Sequence, residues 1–259
     1  MNPDGSRVSR VTNVPQANGR PSWSPDARRI AFSSYRDGRS QIYASNWDGT
    51  DAKRLTDSPA DDSYPAWSWD GTRIAFSSTR DYPDCKPLAL ACKNDLYVMS
   101  SDGSNVRRLT MGLANETYPT WSPDSQRIAF ASDITGKNQL YIINADGSGL
   151  VQLTNNKFDD AWPNWSPDGN RIAFTSNRDG DDEVYLMWTN GTGVVRLTFN
   201  AAKDYMPTWA PDGRRILFVS NRELKNKLYI LTIDNVLTPP LQLTKENSDS
   251  FFPIWSWSP

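Results

Sequence analysis

The amino-acid sequence predicts an all-β fold, a β-propeller of four-stranded antiparallel blades, and three observations carry that reading. One unit recurs along almost the whole chain. Each unit divides into four short strand-like runs punctuated by turn signals. The strands are apolar on both faces, as in a sheet covered on both sides. The unit reads "PSWSPDARRIAFSS" at Pro21, "PAWSWDGTRIAFSS" at Pro65, "PTWSPDSQRIAFAS" at Pro119, "PNWSPDGNRIAFTS" at Pro163 and "PTWAPDGRRILFVS" at Pro207, and it stops after "PIWSWSP" at Pro253. Its tryptophans, Trp23, Trp67, Trp121, Trp165, Trp209 and Trp255, are spaced 44, 54, 44, 44 and 46 residues apart. Nine residues always separate the closing threonine of one unit (Thr12, Thr56, Thr110, Thr154, Thr198, Thr244) from the proline of the next.

Within a unit, Pro-x-Trp-Ser is the first strand. A proline at its head fits the innermost strand of a blade, an edge that faces the channel and needs no donor there. Ser-Pro-Asp-Gly is a turn: proline presets φ, aspartate bonds the nearby backbone, and glycine takes the left-handed position. Arg-Ile-Ala-Phe follows with period-two alternation, placing Ile30 and Phe32 on one face and small Ala31 on the other. The third strand carries the column Tyr43, Tyr97, Tyr141, Tyr185, Tyr229. An Asp-Gly turn (Asp48-Gly49, Asp102-Gly103, Asp146-Gly147) then leads to a fourth strand ending in Leu-Thr. The bulky face of each blade is expected to pack on the small-residue face of its neighbour. A β-helix needs shorter units, and an α-solenoid needs a helical period that is absent. The chain is expected to be a single propeller domain over residues 1–259, with whole blades at 21–64, 65–118, 119–162, 163–206 and 207–252.

With Trp-Ser-Pro-Asp-Gly, Ile-Ala-Phe, a third-strand tyrosine, Asp-Gly and Leu-Thr in fixed order over the whole length, the chain resembles the TolB-like (WD-repeat-like) propeller repeat family. That resemblance implies a six-bladed ring whose C-terminal segment supplies the innermost strand of the blade begun at the N-terminus. Residues 1–20 would then hold the outermost strand of the closing blade, and 253–259, within "FFPIWSWSP", its innermost strand. Met1-Asn2-Pro3-Asp4-Gly5-Ser6 falls into register with Met99-Ser100-Ser101-Asp102-Gly103-Ser104, so the chain reads as opening inside a unit, with two middle strands of about 20 residues upstream of Met1. The expectation is five complete blades and one incomplete blade, through which molecules could self-associate. The alternative is a five-bladed ring with Met1–Thr12 as a tail. The resemblance also implies a bacterial protein in the periplasm or otherwise outside the cytoplasm, with any export signal upstream of Met1, and peptide binding in the channel modulated by Ca²⁺.

Charge narrows the partners. The 28 basic and 30 acidic residues are spread evenly and give a net charge of −2. There is no basic stripe, which argues against nucleic acid and anionic membrane as partners. No apolar run approaches the ~20 residues that cross a bilayer. The chain has no histidine, which removes Ser-His-Asp triads, Cys-His pairs and histidine-held metals, including the metal sites of the oligogalacturonate lyase propellers. Two cysteines cannot build a structural zinc site. No catalytic residue is assigned, no cofactor is required, and no enzymatic activity is expected of this chain.

Cys85 and Cys92 lie in the one large insertion, "RDYPDCKPLALACKND", between the second and third strands of the second unit. They read as a disulfide pinning an exposed loop in an oxidising compartment, or else as two free thiols. Before each inner strand stands an acidic column: Asp61-Asp62, Asn115-Glu116, Asp159-Asp160, Lys203-Asp204 and Asp249-Ser250, with Ala17-Asn18 in the first place. Carboxylates converging on one channel mouth would suit Ca²⁺, with Asp62, Glu116, Asp160 and Asp204 as ligands, or a basic peptide. The local reading is that each caps a turn. Directly before the prolines sit Tyr64, Tyr118, Trp162, Met206 and Phe252, read either as wedges between blades or as an aromatic collar for a peptide or sugar face. Arg29, Arg73, Arg127, Arg171 and Arg215 read as structural partners of turn or neighbouring-blade carboxylates, and Trp47 and Trp188 as blade-packing residues.

The function expected from these features is a non-catalytic scaffold that captures a partner protein or peptide with the loops at one channel mouth. The alternative is a propeller module of a multidomain enzyme, such as a prolyl-oligopeptidase-like protease, or a sensor domain behind a kinase or DNA-binding domain.

Overall fold

The structure is a computed structural model and describes all residues except 2–3, 13–17, 83–91, 113, 246–247 and 257–259. In the first sheet the inner strand is Asn18–Trp23, followed by Arg29–Ser34, Gln41–Asn46 and the short outer strand Lys53–Arg54. Four further sheets repeat this plan, with inner strands Asp62–Trp67, Glu116–Trp121, Asp160–Trp165 and Asp204–Trp209. In all five sheets neighbours in sequence are neighbours in space, antiparallel throughout, which is the meander of a propeller blade.

The second and third strands pair without interruption, from Arg127↔Asn144 to Ser132↔Gln139 in the third sheet. The inner strand does not. Its register shifts in every sheet, between Ser63 and Ala66 in the second and between Ala161 and Asn164 in the fourth. The two residues inside each shift are the collar residue and its proline, as in Tyr64-Pro65. Proline has no N–H for the ladder, so the strand bulges at that point. The inner strands also begin three residues earlier than the prolines suggest. Asp62, Glu116, Asp160 and Asp204 are therefore the first residues of strands and not loop residues.

The core lies between the sheets. Ala31, Ile42 and Ala44 of the first sheet face Trp67, Ile74, Phe76, Tyr97 and Met99 of the second, as the alternation of large and small residues predicts. The same apposition joins the later pairs of sheets. Trp121, Trp165 and Trp209 are fully buried at these joints, each worth about 4 to 6 kcal/mol of transfer free energy. The arginine column lies against these tryptophans: Arg73 over Trp121 at 4.7 Å, Arg127 over Trp165 at 5.1 Å, Arg171 over Trp209 at 5.1 Å. Arg29 and Arg215 do the same to Trp67 and Trp255 at 5.6 and 5.7 Å. Each arginine thus lies against the indole face of the next unit, and Arg73 and Arg215 also pair with the turn carboxylates Asp70 at 3.4 Å and Asp212 at 2.6 Å, the kind of partner the sequence suggested. Trp47 and Trp188 are not blade-packing residues; they are 60% and 51% exposed.

The expectation of a sixth, incomplete blade is corrected by the sheet count. The described residues form five four-stranded sheets and no sixth, and neither 4–12 nor 248–256 contains a strand. An outermost and an innermost strand lie too far apart to pair without the two strands between them, so these segments have no ladder to join. They pack instead between the fifth and first sheets. A Cβ on Gly5 would stand 2.3 Å from the Leu243 carbonyl oxygen, one on Gly49 2.0 Å from that of Val11, and Trp255 packs on the fifth sheet's core. Self-association through an incomplete blade falls with this correction, because each of the five sheets has all four strands.

Candidate functional site

The bulge before each proline turns one side chain per inner strand toward the axis. Tyr64, Tyr118, Trp162 and Met206 have φ of +58°, +59°, +55° and +55°, and Arg20 and Phe252, at the same repeat position, have +55° and +53°. A bulky residue in this left-handed region is unusual, and more so before proline. Such a conformation costs on the order of 1–3 kcal/mol per residue. The five sheets and the C-terminal segment hold it at six places, and the result is one cluster. The Tyr118 and Trp162 rings stack with centroids 3.6 Å apart, and Tyr64 meets Tyr118 edge-on at 4.6 Å. Trp162 lies 6.0 Å from Phe252, and the Arg20 guanidinium sits 3.6 Å over the Tyr64 ring. Together with the prolines and inner-strand tryptophans they line a cavity of about 190 Å³.

Burial pushes the Tyr118 phenol well above its ordinary pKa, with Tyr64 adding to the effect, so this hydroxyl stays neutral. Among the cavity-lining residues Arg20 alone carries a charge. Sequence reasoning assembled the collar but missed Arg20, although its place before Pro21 was a sufficient signal.

The acidic column is placed differently. Its first members cap backbone: Ser40 N–H donates to Asp61 (2.8 Å), Asn94 to Asn115 (3.3 Å), Asn138 to Asp159 (3.0 Å) and Asn226 to Asp249 (2.8 Å). Lys203, in the same place, pairs with Asp182 at 3.6 Å. Asp62, Asp160 and Asp204 start inner strands, fully buried, and each meets an arginine two residues beyond the end of its own sheet's second strand. Arg80 donates to both oxygens of Asp62 at 3.1 and 3.0 Å, Arg178 to Asp160 at 3.0 and 3.0 Å, and Arg222 to Asp204 at 3.2 and 2.9 Å. In each pair one guanidinium nitrogen, Nη2, bridges both carboxylate oxygens, and the arginine neutralises the aspartate within its own sheet.

Glu116 is the exception, because Ile134 occupies the arginine's place in the third sheet. Its carboxyl takes the Thr110 hydroxyl instead. Burial pushes Glu116 up to about 7 against the effect of that hydrogen bond, and the nearby Asp95 charge adds to the rise. The structure therefore brings Tyr64, Tyr118, Trp162 and Phe252 together and leaves the acidic residues in separate, locally satisfied positions. Among the described residues no three His, Cys, Asp or Glu side chains stand close enough to share a metal ion. Cys85, half of the expected disulfide, lies outside the described residues.

Comparison with known proteins agrees with this geometry. A family model described as the TolB beta propeller domain matches residues 4–85, 82–161 and 152–256. The Tol-Pal system protein TolB of Anaeromyxobacter dehalogenans is 34% identical over 105 residues, which is 39% of this chain and 21% of that protein. The chain's matches span less than a quarter of the length of the curated relatives. The crystal structure of TolB from Acinetobacter baumannii superposes with a TM-score of 0.74 at 22% identity, over 90% of this chain and 56% of that one. A puromycin-hydrolyzing peptidase of Mycobacterium tuberculosis gives 0.67 at 16% identity, covering 92% of this chain and 39% of the peptidase. At such identities these two structures speak for the fold alone.

Proposed function

We propose, from the premise that this chain belongs to the TolB beta propeller domain family, that it is a non-catalytic module which captures a segment of a partner protein in the collar at its channel mouth. The observation that carries the reading is the collar itself. Six left-handed residues before proline, held against their backbone preference, present stacked rings to a cavity lined largely by apolar side chains. Aromatic anchors in a desolvated pocket are the usual source of binding energy at protein interfaces. Family membership supports a periplasmic or otherwise extracytoplasmic location, and a Cys85–Cys92 disulfide fits such a compartment. Ca²⁺ has no comparable support, since the carboxylates proposed to hold it already have arginine, threonine or backbone partners.

The test uses the peptide acetyl-Ser-Gly-Gln-Phe-Gln-Gly-Ser-amide and calorimetry. The double variant Tyr118→Ala, Trp162→Ala is expected to bind at least about tenfold more weakly, the loss typical of removing a central aromatic anchor. Trp47→Ala, on the exposed rim, is expected to bind as wild type does. Equal binding by wild type and the collar variant would refute the site. A second reading has one observation in its favour: the match to a peptidase of which this fold makes up about two-fifths. The propeller would there be one module of a longer enzyme, and a hydrolase domain encoded in the same reading frame would decide for it.

A further inference from the structure

Resting on the collar as the capture site, we propose that Arg20 reads the charge of the bound segment and selects one that places a carboxylate beside an aromatic or aliphatic side chain. The five repeats act as internal controls. At the residue before proline, four of the other five places carry an aromatic ring and one carries methionine, and only the first unit carries a cation. That cation stands inside the collar, 3.6 Å over Tyr64 and 5.8 Å from the Phe252 ring centroid.

Arg20 has no carboxylate partner among the described residues, in contrast to Arg80, Arg178 and Arg222, each of which is bound to a buried aspartate. A guanidinium stacked on an aromatic face keeps its edge N–H groups free, and those groups match a carboxylate in plane. The cavity supplies no other charge, so the electrostatic preference of the site follows this one residue. Of the acidic column, expected from sequence to attract a basic peptide, Asp62, Asp160 and Asp204 are paired with arginines, and no member of the column lines the cavity.

Three peptides of the form acetyl-Ser-Gly-X-Phe-X-Gly-Ser-amide, with X glutamate, glutamine or lysine, test the proposal by calorimetry on the whole chain. Wild type is expected to bind the glutamate peptide about fivefold more tightly than the lysine peptide, the upper range for one partly exposed ion pair. That ratio should shrink as salt screens the pair. In Arg20→Gln the ratio should fall to about one, and in Arg20→Lys, which keeps the charge, it should persist. The salt series on wild type tests the same point should Arg20→Gln fail to fold.

A wild-type preference for the lysine peptide, equal binding of all three, or a glutamate preference that survives in Arg20→Gln would each overturn the role of Arg20 while leaving the collar as a binding site. Failure of all three peptides to bind wild type would overturn the collar reading and this inference with it.

Discussion

Glu116 shows what one missing side chain does to a repeat. In the second, fourth and fifth sheets the acid that opens the inner strand is held by an arginine, but in the third Ile134 stands where that arginine would be. The Glu116 carboxyl is buried, shares its surroundings with Asp95, and is pushed up to about 7 from an unfolded value of 4.5. A raised carboxyl pKa means that the folded chain holds the proton more tightly than the unfolded one. Its contribution is thus fully favourable below about pH 4.5, declines as pH rises, and is lost above about pH 7, a change on the order of 3 kcal/mol. Urea midpoints should therefore fall between about pH 5 and about pH 8 in wild type, and fall less in Glu116→Gln, where the raised Asp95 and Glu183 carboxyls still contribute a decline. A wild-type profile no steeper than that of the variant would contradict this assignment. The acidic column was legible in the sequence, but its environment was not. Reading Asp62 as a loop residue placed it at the mouth, whereas the bulge extends the strand upstream and buries it beside Arg80.

At the scale of the strand, the period-two pattern, the turns and the tyrosine column could all be read directly, because each follows from backbone geometry within a few residues. The arginine in the second strand could not. Its partner lies in the next sheet, and an indole face leaves no charge signature in sequence. Arg127→Ala is expected to lower stability by about 1 to 2 kcal/mol through the lost contact with Trp165, while Arg127→Lys should recover part of it. Thermal melts of both variants check this, and an unchanged Arg127→Ala midpoint would remove the contact from the account. The insertion after the second strand of the second sheet carries the Cys85–Cys92 expectation. Peptide mapping without reductant, on protein taken from its native compartment, is expected to recover the two cysteines as one cross-linked fragment. Two separately alkylated thiols would refute the bond and weaken the extracytoplasmic placement.

For the whole molecule, the unit length and six tryptophans made a ring evident, yet the blade count required the sheets themselves. A family resemblance counted the terminal segments as parts of a sixth blade, but strands exist only where a ladder partner does, and these segments have none. What holds the ring together locally is sheet-on-sheet packing between neighbours, so stability is approximately a sum of such joints. The arginine contacts give that sum an order. Arg29 reaches Trp67, Arg73 reaches Trp121, and so on to Arg215 and Trp255, always toward the next unit. The circle has a sense of travel, like a line of people each with a hand on the shoulder ahead. Injury should pass one way along it: in Arg127→Ala the indole signal of Trp165 is expected to gain solvent exchange, while that of Trp121, behind the lesion and still covered by Arg73, should not. A propeller assembled from near-identical blades is thereby polar around its circumference, and its blades, though alike in sequence, are distinguished by which neighbour each one shields.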